Sequence, residues 1–297
     1  MNNERMQARE SPRAWTVLSM IEWSREYLAE RGFEEARLHA ELMLAHALGV
    51  NRLQLYLQFD RPLDAAELAA YREMFKRRLT HEPLQYILGE TGFMGLTLGV
   101  GPGVLIPRPE TELLVERALS RIRDFGRTPV TVLDVGCGSG NIALALLHQG
   151  TGLQVTAIDI SEAAIARCRD NALRLQTTAV EWICGDVFDV SVMARRFDVV
   201  VSNPPYISRE EYEHLMPEVR LFEPRQALTD EEDGYAFLRR LAPRAAQLLT
   251  PGGVFVCEIG YGQEFGARKA CAEGGFSRVT VHADYAGIPR VVEADLE

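Results

Sequence analysis

Lysine is almost missing from this chain of 297 residues, where Lys76 and Lys269 stand against 30 arginines, a compositional bias that carries no function by itself. Basic charge as a whole is in deficit, with 32 Lys plus Arg against 42 Asp plus Glu and a net of -10. The first 80 residues are balanced at 12 and 12, so the deficit, 20 against 30, falls on the remainder. A protein that tracks phosphates needs a local cationic surplus, and none is present, so no direct nucleic-acid binding is expected. The short run Lys76-Arg77-Arg78 reads as the solvated end of a helix. Cysteine is scarce and scattered: Cys137, Cys168, Cys184, Cys257 and Cys271 form no C-x-x-C, and no histidine pair has H-x-x-x-H spacing. That excludes the common metal-cluster and disulfide frameworks and predicts reduced core thiols. No apolar run approaches the ~20 residues of a membrane span, and no secretory leader is visible. A cytoplasmic chain with no membrane partner is therefore expected, and a monomer.

What is present suits two domains, since 297 residues at 47% hydrophobic content exceed one typical domain. The first 80 residues read as helical. Apolar positions recur with helical period over Trp15 to Leu28, with Ser11-Pro12 as the start and Arg31-Gly32 as the stop, and again over Leu38 to Leu48 and Leu68 to Leu79. Thr91 to Val100 alternates, is rich in glycine and precedes Gly101-Pro102-Gly103, which predicts a hairpin packed over the site described next. Glu110 to Arg123 has the pattern of an amphipathic helix with an acidic start suited to its dipole. From Gly253 onward the pattern is strand, helix, then an antiparallel pair over Val279 to His282 and Arg290 to Glu293.

The chemistry lies between these segments. Leu133-Asp134-Val135-Gly136-Cys137-Gly138-Ser139-Gly140 follows the β-branched run Val130-Thr131-Val132 and precedes the helical Ile142 to Leu147. Strand, glycine loop and helix in that order make a ligand cradle, because glycine lets the backbone approach closely and the helix N-terminus offers unpaired N–H groups. The spacing is G-x-G-x-G rather than the dinucleotide G-x-G-x-x-G. A second strand, Leu153 to Ile158, ends at Asp159, a carboxylate placed to take ribose hydroxyls. A third, Val180 to Cys184, leads to Gly185-Asp186-Val187-Phe188, where Asp186 is placed for an adenine amino group and Val187 and Phe188 for the ring. A fourth, Phe197 to Val201, runs into Ser202-Asn203-Pro204-Pro205-Tyr206. A planar NH2 group is held still when each hydrogen has an acceptor. The Asn203 side-chain oxygen is one, and the Pro204 carbonyl, on a loop stiffened by two prolines, is the other, with Tyr206 as a wall. A nucleoside site beside such a loop fits methyl transfer from S-adenosylmethionine better than hydride transfer from a nicotinamide.

At these residues the chain resembles the release factor glutamine methyltransferases, the HemK or PrmC family. The resemblance spans roughly residues 83 to 297. It includes Pro83-Leu84-Gln85-Tyr86-Ile87-Leu88-Gly89, the most selective stretch Pro107-Arg108-Pro109-Glu110-Thr111-Glu112, Phe222-Glu223-Pro224-Arg225, Cys257-Glu258-Ile259-Gly260 and Asp284 to Val291. It implies an α/β fold, a class I S-adenosylmethionine-dependent methyltransferase with an antiparallel last strand (residues 107–297). A helical substrate-recognition domain (1–82) and a hairpin linker (83–106) would precede it. It implies methylation at N5 of the glutamine in the Gly-Gly-Gln motif of class-one peptide chain release factors. Carried across by motif, Gly136, Cys137, Gly138, Ser139, Gly140, Asp159, Asp186, Val187 and Asn203 would bind the donor. Asn203, Pro204, Pro205 and Tyr206 would bind the glutamine amide, with Asn203, Pro204 and Tyr206 catalytic. The family commonly has Thr where Cys137 stands. The motifs leave the roles of Arg108 and Glu110 open between packing and the site. Two other readings stay on the table: an N6-adenine methyltransferase acting on RNA or DNA, and a donor-binding module without catalysis.

Overall fold

A computed structural model describes residues 15–189 and 195–297, and the chain divides into two compact units, 1–88 and 89–297. The expected start at Ser11-Pro12 lies outside the described residues. The first unit holds helices α1 (Val17–Ala29), α2 (Ala36–Leu48), α3 (Arg52–Tyr56), α4 (Ala65–Leu79) and α5 (Leu84–Leu88). Three of them begin in reciprocal capping boxes, Thr16 with Ser19, Asn51 with Gln54 and Asp64 with Glu67. Their apolar faces meet around Ile21, Leu28, Met43, Leu44, Leu55 and Tyr71. Two polar contacts fix that packing. The Tyr71 hydroxyl donates to Ser24 Oγ at 2.7 Å, and the buried Glu41 carboxylate accepts from Arg37, Arg52 and Tyr56 at 2.6–2.9 Å. Burial alone would raise the Glu41 pKa, but those donors outweigh it and hold the group below the ordinary carboxylate value. The segment 84–88, read from sequence as the opening of the linker, is a short helix whose Leu84 and Ile87 belong to this core, because their side chains complete it.

The second unit opens with a hairpin, β1 (Glu90–Phe93) and β2 (Leu96–Gly99), turned by Met94 and Gly95, both at positive φ. Then follow α6 (Thr111–Asp124), β3 (Val130–Val135), α7 (Asn141–Gln149), β4 (Leu153–Asp159), α8 (Glu162–Arg174), β5 (Val180–Cys184) and β6 (Phe197–Ser202). After β6 come three short helices, α9 (Arg209–Glu213), α10 (Pro217–Phe222) and α11 (Arg225–Leu228), unassigned from sequence because they are too brief to show a period. The chain closes with α12 (Ala236–Leu248), β7 (Leu249–Glu258), α13 (Glu264–Glu273), β8 (Arg278–Ala283) and β9 (Pro289–Asp295).

Among the described residues seven strands form one sheet in the order β5-β4-β3-β6-β7-β9-β8, the first five parallel and the last two pairings antiparallel. Every residue of β6 is buried, as a central parallel strand covered on both faces must be. Alternate residues serve the two layers: Val132, Val199 and Val201 pack with α6, α7 and α8, while Leu133, Val200 and Phe255 pack with α12 and α13. The order reverses between β3 and β6, and at such a switch point the crevice outside the carboxyl ends of the strands is open to a ligand. Register aligns those ends: Val135 pairs with Ile158 and with Ser202, whose Oγ donates to the Val135 carbonyl at 2.9 Å.

Candidate active site

A cavity of about 780 Å³ opens at that switch point, and every described residue lining it belongs to the second unit. The glycine loop forms its floor. Gly136, Gly138 and Gly140 all have φ between +55° and +81°, a backbone region that L side chains rarely adopt. At Gly136 and Gly138 a Cβ would meet nothing within 4 Å, so those two leave open space against the cavity. Gly140 is different and corrects an expectation: it does not line the cavity. A Cβ there would stand 3.1 Å from the Trp182 ring and 3.2 Å from Cys168 Sγ, so this glycine serves the packing of α7. Cys137 is likewise buried, its Sγ 3.6 Å from that of Cys168, and it does line the cavity. Cys184 corrects the reading of all five cysteines as core thiols: it is exposed, at the end of the edge strand β5.

Asp159 ends β4 at the cavity wall. Its Oδ2 accepts from Gly138 N–H and its Oδ1 from Ser161 N–H, both at 2.9 Å, so the carboxylate holds the glycine loop while each oxygen keeps capacity for a further donor. Burial pushes its pKa up against those donors. Behind the floor, Asp134 is fully buried, accepts Ala143 N–H at 3.1 Å through Oδ2, and has no partner for Oδ1 among the described residues. Burial, with a contribution from the Asp159 charge, pushes its carboxyl up to about 7. Asp186 and Val187 line the side wall, the Asp186 carboxylate turned in to accept Phe188 N–H at 2.9 Å. From α12, Phe237 meets Phe188 edge to face at 5.6 Å and Arg240 lies 4.0 Å over the Phe188 ring, a flat wall with no advance signal in the sequence.

The loop after β6 supplies the opposite wall. Asn203 Nδ2 donates to Thr111 Oγ1 at 3.0 Å, while Oδ1 has no protein partner among the described residues. Pro204 and Pro205 line the cavity, and the Pro204 carbonyl accepts no hydrogen bond from a described residue. Tyr206 departs from its expected place as a wall. It is absent from the cavity lining, its hydroxyl donating to Glu258 Oε1 at 3.0 Å and its carbonyl accepting from Gln263 Nε2 at 2.7 Å. Glu258, 1% exposed, has no role legible from its sequence motif. Burial pushes it up to about 7, opposed by the hydroxyls of Thr111 and Tyr206, with Glu110 raising and Arg290 lowering it.

The hairpin also sits elsewhere than expected. It does not line the cavity, because Phe93, Leu96 and Leu98 are committed to the core and the buried Asn171 amide bonds both backbone groups of Gly99. The following segment does line it: Gly103, Pro107, Arg108 and Thr111 face the cavity, as do Pro224 and Arg225. Glu223 fastens these two stretches together, accepting from Arg108 Nη2 at 2.5 Å and from Ile106 N–H at 3.1 Å. Arg108 is thus both paired and cavity-lining, whereas Glu110 precedes α6 with no capping bond from its side chain.

Strand order, antiparallel closure, glycine cradle and carboxylate-ended strands define a class I S-adenosylmethionine-dependent methyltransferase. Residues 19–89 match a family model described as the PrmC N-terminal domain, and residues 132–222 one described as a methyltransferase domain. The release factor glutamine methyltransferase of Geobacter sulfurreducens is 44% identical over 283 residues, 95% of this chain and 98% of that one. The corresponding protein of Bordetella pertussis is 42% identical over 267 residues, 90% of this chain and 97% of that one. A solved structure of the T. thermophilus 16S rRNA N2 G1207 methyltransferase, in complex with AdoMet and guanosine, aligns with a TM-score of 0.51 at 21% identity. It covers 70% of this chain and 50% of that one, and bears on the fold alone. The chain belongs to the release factor glutamine methyltransferase family. Among the described residues no helix is long and apolar enough to cross a membrane.

Proposed function

We propose that this chain methylates N5 of the glutamine in the Gly-Gly-Gln motif of class-one peptide chain release factors, with S-adenosylmethionine as the donor. Family membership supports the substrate class, and one observation in the site carries the chemistry. At the cavity wall the Asn203 amide is held by its nitrogen on Thr111, which turns its oxygen free beside an unused Pro204 carbonyl.

The residues present fit the donor. Gly136 and Gly138 leave room for close approach to the backbone, Asp159 keeps lone pairs for ribose hydroxyls, and Val187, Phe188 and Phe237 form an apolar slot beside Asp186. When bound, the donor supplies an electrophilic methyl group on a sulfonium. The acidic walls complement a cation, since Asp159 at the end of β4 and Asp186 in the loop after β5 both line the cavity.

An amide nitrogen is a poor nucleophile because its lone pair is delocalised into its carbonyl. Asn203 Oδ1 and the Pro204 carbonyl, each accepting one N–H, draw the hydrogens toward the protein, return electron density to nitrogen and fix its approach. The two prolines make the loop rigid, so little reorganisation accompanies binding. None of the six histidines, nor any other strong general base, lies on this wall, and water suffices to take a proton from the cationic nitrogen after transfer. The helical unit 1–88 is assigned to gripping the protein substrate, and the enzyme to acting as a monomer in the cytoplasm without nucleic acid.

A labelled-methyl assay tests the reading with three acceptors: a release factor, the same factor with Gly-Gly-Gln changed to Gly-Gly-Ala, and total RNA. Label in the first alone is the expected result. Label in the Ala variant or in RNA would overturn it, the latter in favour of adenine N6.

A further inference from the structure

Among the described residues three cationic side chains line the cavity, Arg108, Arg225 and Arg240, and every other charged side chain on its walls is a carboxylate. Two of the three cations are engaged elsewhere. Arg225 gives two bonds to Glu231 and lies 4.2 Å over the Tyr212 ring, and Arg240 lies over Phe188 at the apolar slot. Arg108 is placed differently. The side chain of its partner Glu223 is 1% exposed and is fixed from behind by Ile106 N–H, whereas the Arg108 side chain is 30% exposed. The pair is therefore a buried carboxylate that carries a guanidinium facing the cavity. Of the guanidinium nitrogens only Nη2 bonds a described residue, Glu223 Oε1 at 2.5 Å, so Nε and Nη1 keep donors that no described residue takes.

The sheet order β5-β4-β3-β6 fixes where this cation stands. The residues that fit the donor are set out along it: the apolar slot after β5, Asp159 at the end of β4 and the glycine loop after β3. The acceptor loop follows β6. Arg108 stands at that end, because its carbonyl accepts Thr111 N–H at 3.1 Å and Thr111 Oγ1 accepts Asn203 Nδ2 at 3.0 Å. In S-adenosylmethionine the sulfonium joins the nucleoside to an amino-acid tail. A nucleoside held at β5 and β4, with its methyl group at Asn203, leaves that tail at β3 and β6. The tail bears a carboxylate, which acidic walls repel and a guanidinium with open donors accepts. We propose that Arg108 binds the donor's carboxylate, its fork held in place by Glu223, and that this contact selects donors with an intact amino-acid tail. Glu223 offsets part of the charge, yet the remaining N–H groups lie in the plane of the fork and make the recognition directional.

This role for Arg108 rests on S-adenosylmethionine as the donor and is independent of the acceptor. Calorimetric titration of the full-length protein tests it with two ligands, S-adenosylmethionine and its decarboxylated analogue, which keeps the nucleoside, the sulfonium and the amine and lacks only the carboxylate. Wild type is expected to bind the complete donor roughly 10- to 100-fold more tightly than the analogue, the scale of a hydrogen bond between charged groups. Arg108→Met is expected to weaken the complete donor by that factor and to leave the analogue within about threefold, so the preference collapses. An analogue still held at its wild-type Kd also shows that the Arg108→Met protein is folded. Arg108→Lys, which keeps the charge and loses the fork, should retain part of the preference. Equal weakening of both ligands by Arg108→Met would leave Arg108 only its structural pairing with Glu223, and unchanged binding of both would remove it from the donor site. Either result, or a wild type indifferent to the carboxylate, overturns the assignment. A wild type that binds neither ligand would sink the donor reading itself, and this role with it.

Discussion

The proposed chemistry turns on one side chain, Asn203, and its replacement should separate binding from turnover. Asn203→Ala removes the acceptor proposed for the reacting NH2 and is expected to lower kcat by about 10²–10³, comparable with loss of one preorganised polar group at a transition state. Steady-state kinetics set against calorimetric donor binding checks this, and an equal loss in both would mean that Asn203 serves the donor. Glu258 gives a second prediction, on stability. Its folded-state pKa is about 7 against an ordinary 4.5, so the folded protein holds a proton that the unfolded chain releases. Stability is therefore lost as pH rises from about 4.5 to 7. A glutamine at 258 escapes that loss, so the stability of Glu258→Gln relative to wild type should grow between pH 5 and 8, by on the order of 3 kcal/mol at most. Urea unfolding at several pH values reads this directly, and a pH-independent difference would contradict it. The place of Asn203 in a stiff loop at a strand end was legible because a strand precedes it and two prolines follow. The partner that orients it was not legible, since Thr111 lies 92 positions away and meets it only through the fold.

Among the elements, the glycine loop shows how one motif can do two jobs. Gly138→Ala and Gly140→Ala both force alanine to a positive φ, at a cost of about 1–2 kcal/mol each. Their other effects should diverge. The Gly138 methyl would stand at the cavity wall, and donor affinity is expected to fall at least tenfold. The Gly140 methyl would press on Trp182 and Cys168, so thermal stability should fall further while donor affinity in the folded fraction changes less. Calorimetry beside thermal unfolding distinguishes the two, and the reverse ordering would refute the division of roles. A strap offers a parallel case. Glu223→Ala would leave Ile106 N–H and Arg108 without their shared acceptor, an unsatisfied buried donor costing about 1–3 kcal/mol. Both straps line the cavity, so donor dissociation should also quicken, as stopped-flow measurements would show. In sequence these stretches appeared as motifs without a mechanism, because the residues that join them are 115 and 117 positions apart.

For the whole molecule, the proposed division of labour between the units makes its own prediction. Every described residue lining the cavity lies in 89–297, so that segment expressed alone should bind S-adenosylmethionine within a few fold of the full chain while methylating a release factor far more slowly. Unimpaired methylation by the segment would remove the helical unit from substrate recognition. At this scale the sequence by itself determined the secondary structure with strong periods, the strand-loop-helix unit, the doubly wound class of the sheet and the stiff loop after β6. Those are local properties: hydrophobic period, glycine conformation and proline stiffness act over a few residues and leave a mark in the order of the chain. Tertiary structure alone decided that Gly140 packs, that Tyr206 serves Glu258 and lies off the cavity wall, and that Thr111 holds Asn203. It also decided that Phe237 and Arg240 complete a wall begun at Phe188. Each of these depends on which face of a strand or helix meets a distant partner, a choice made by burial and hydrogen-bond satisfaction across the whole fold.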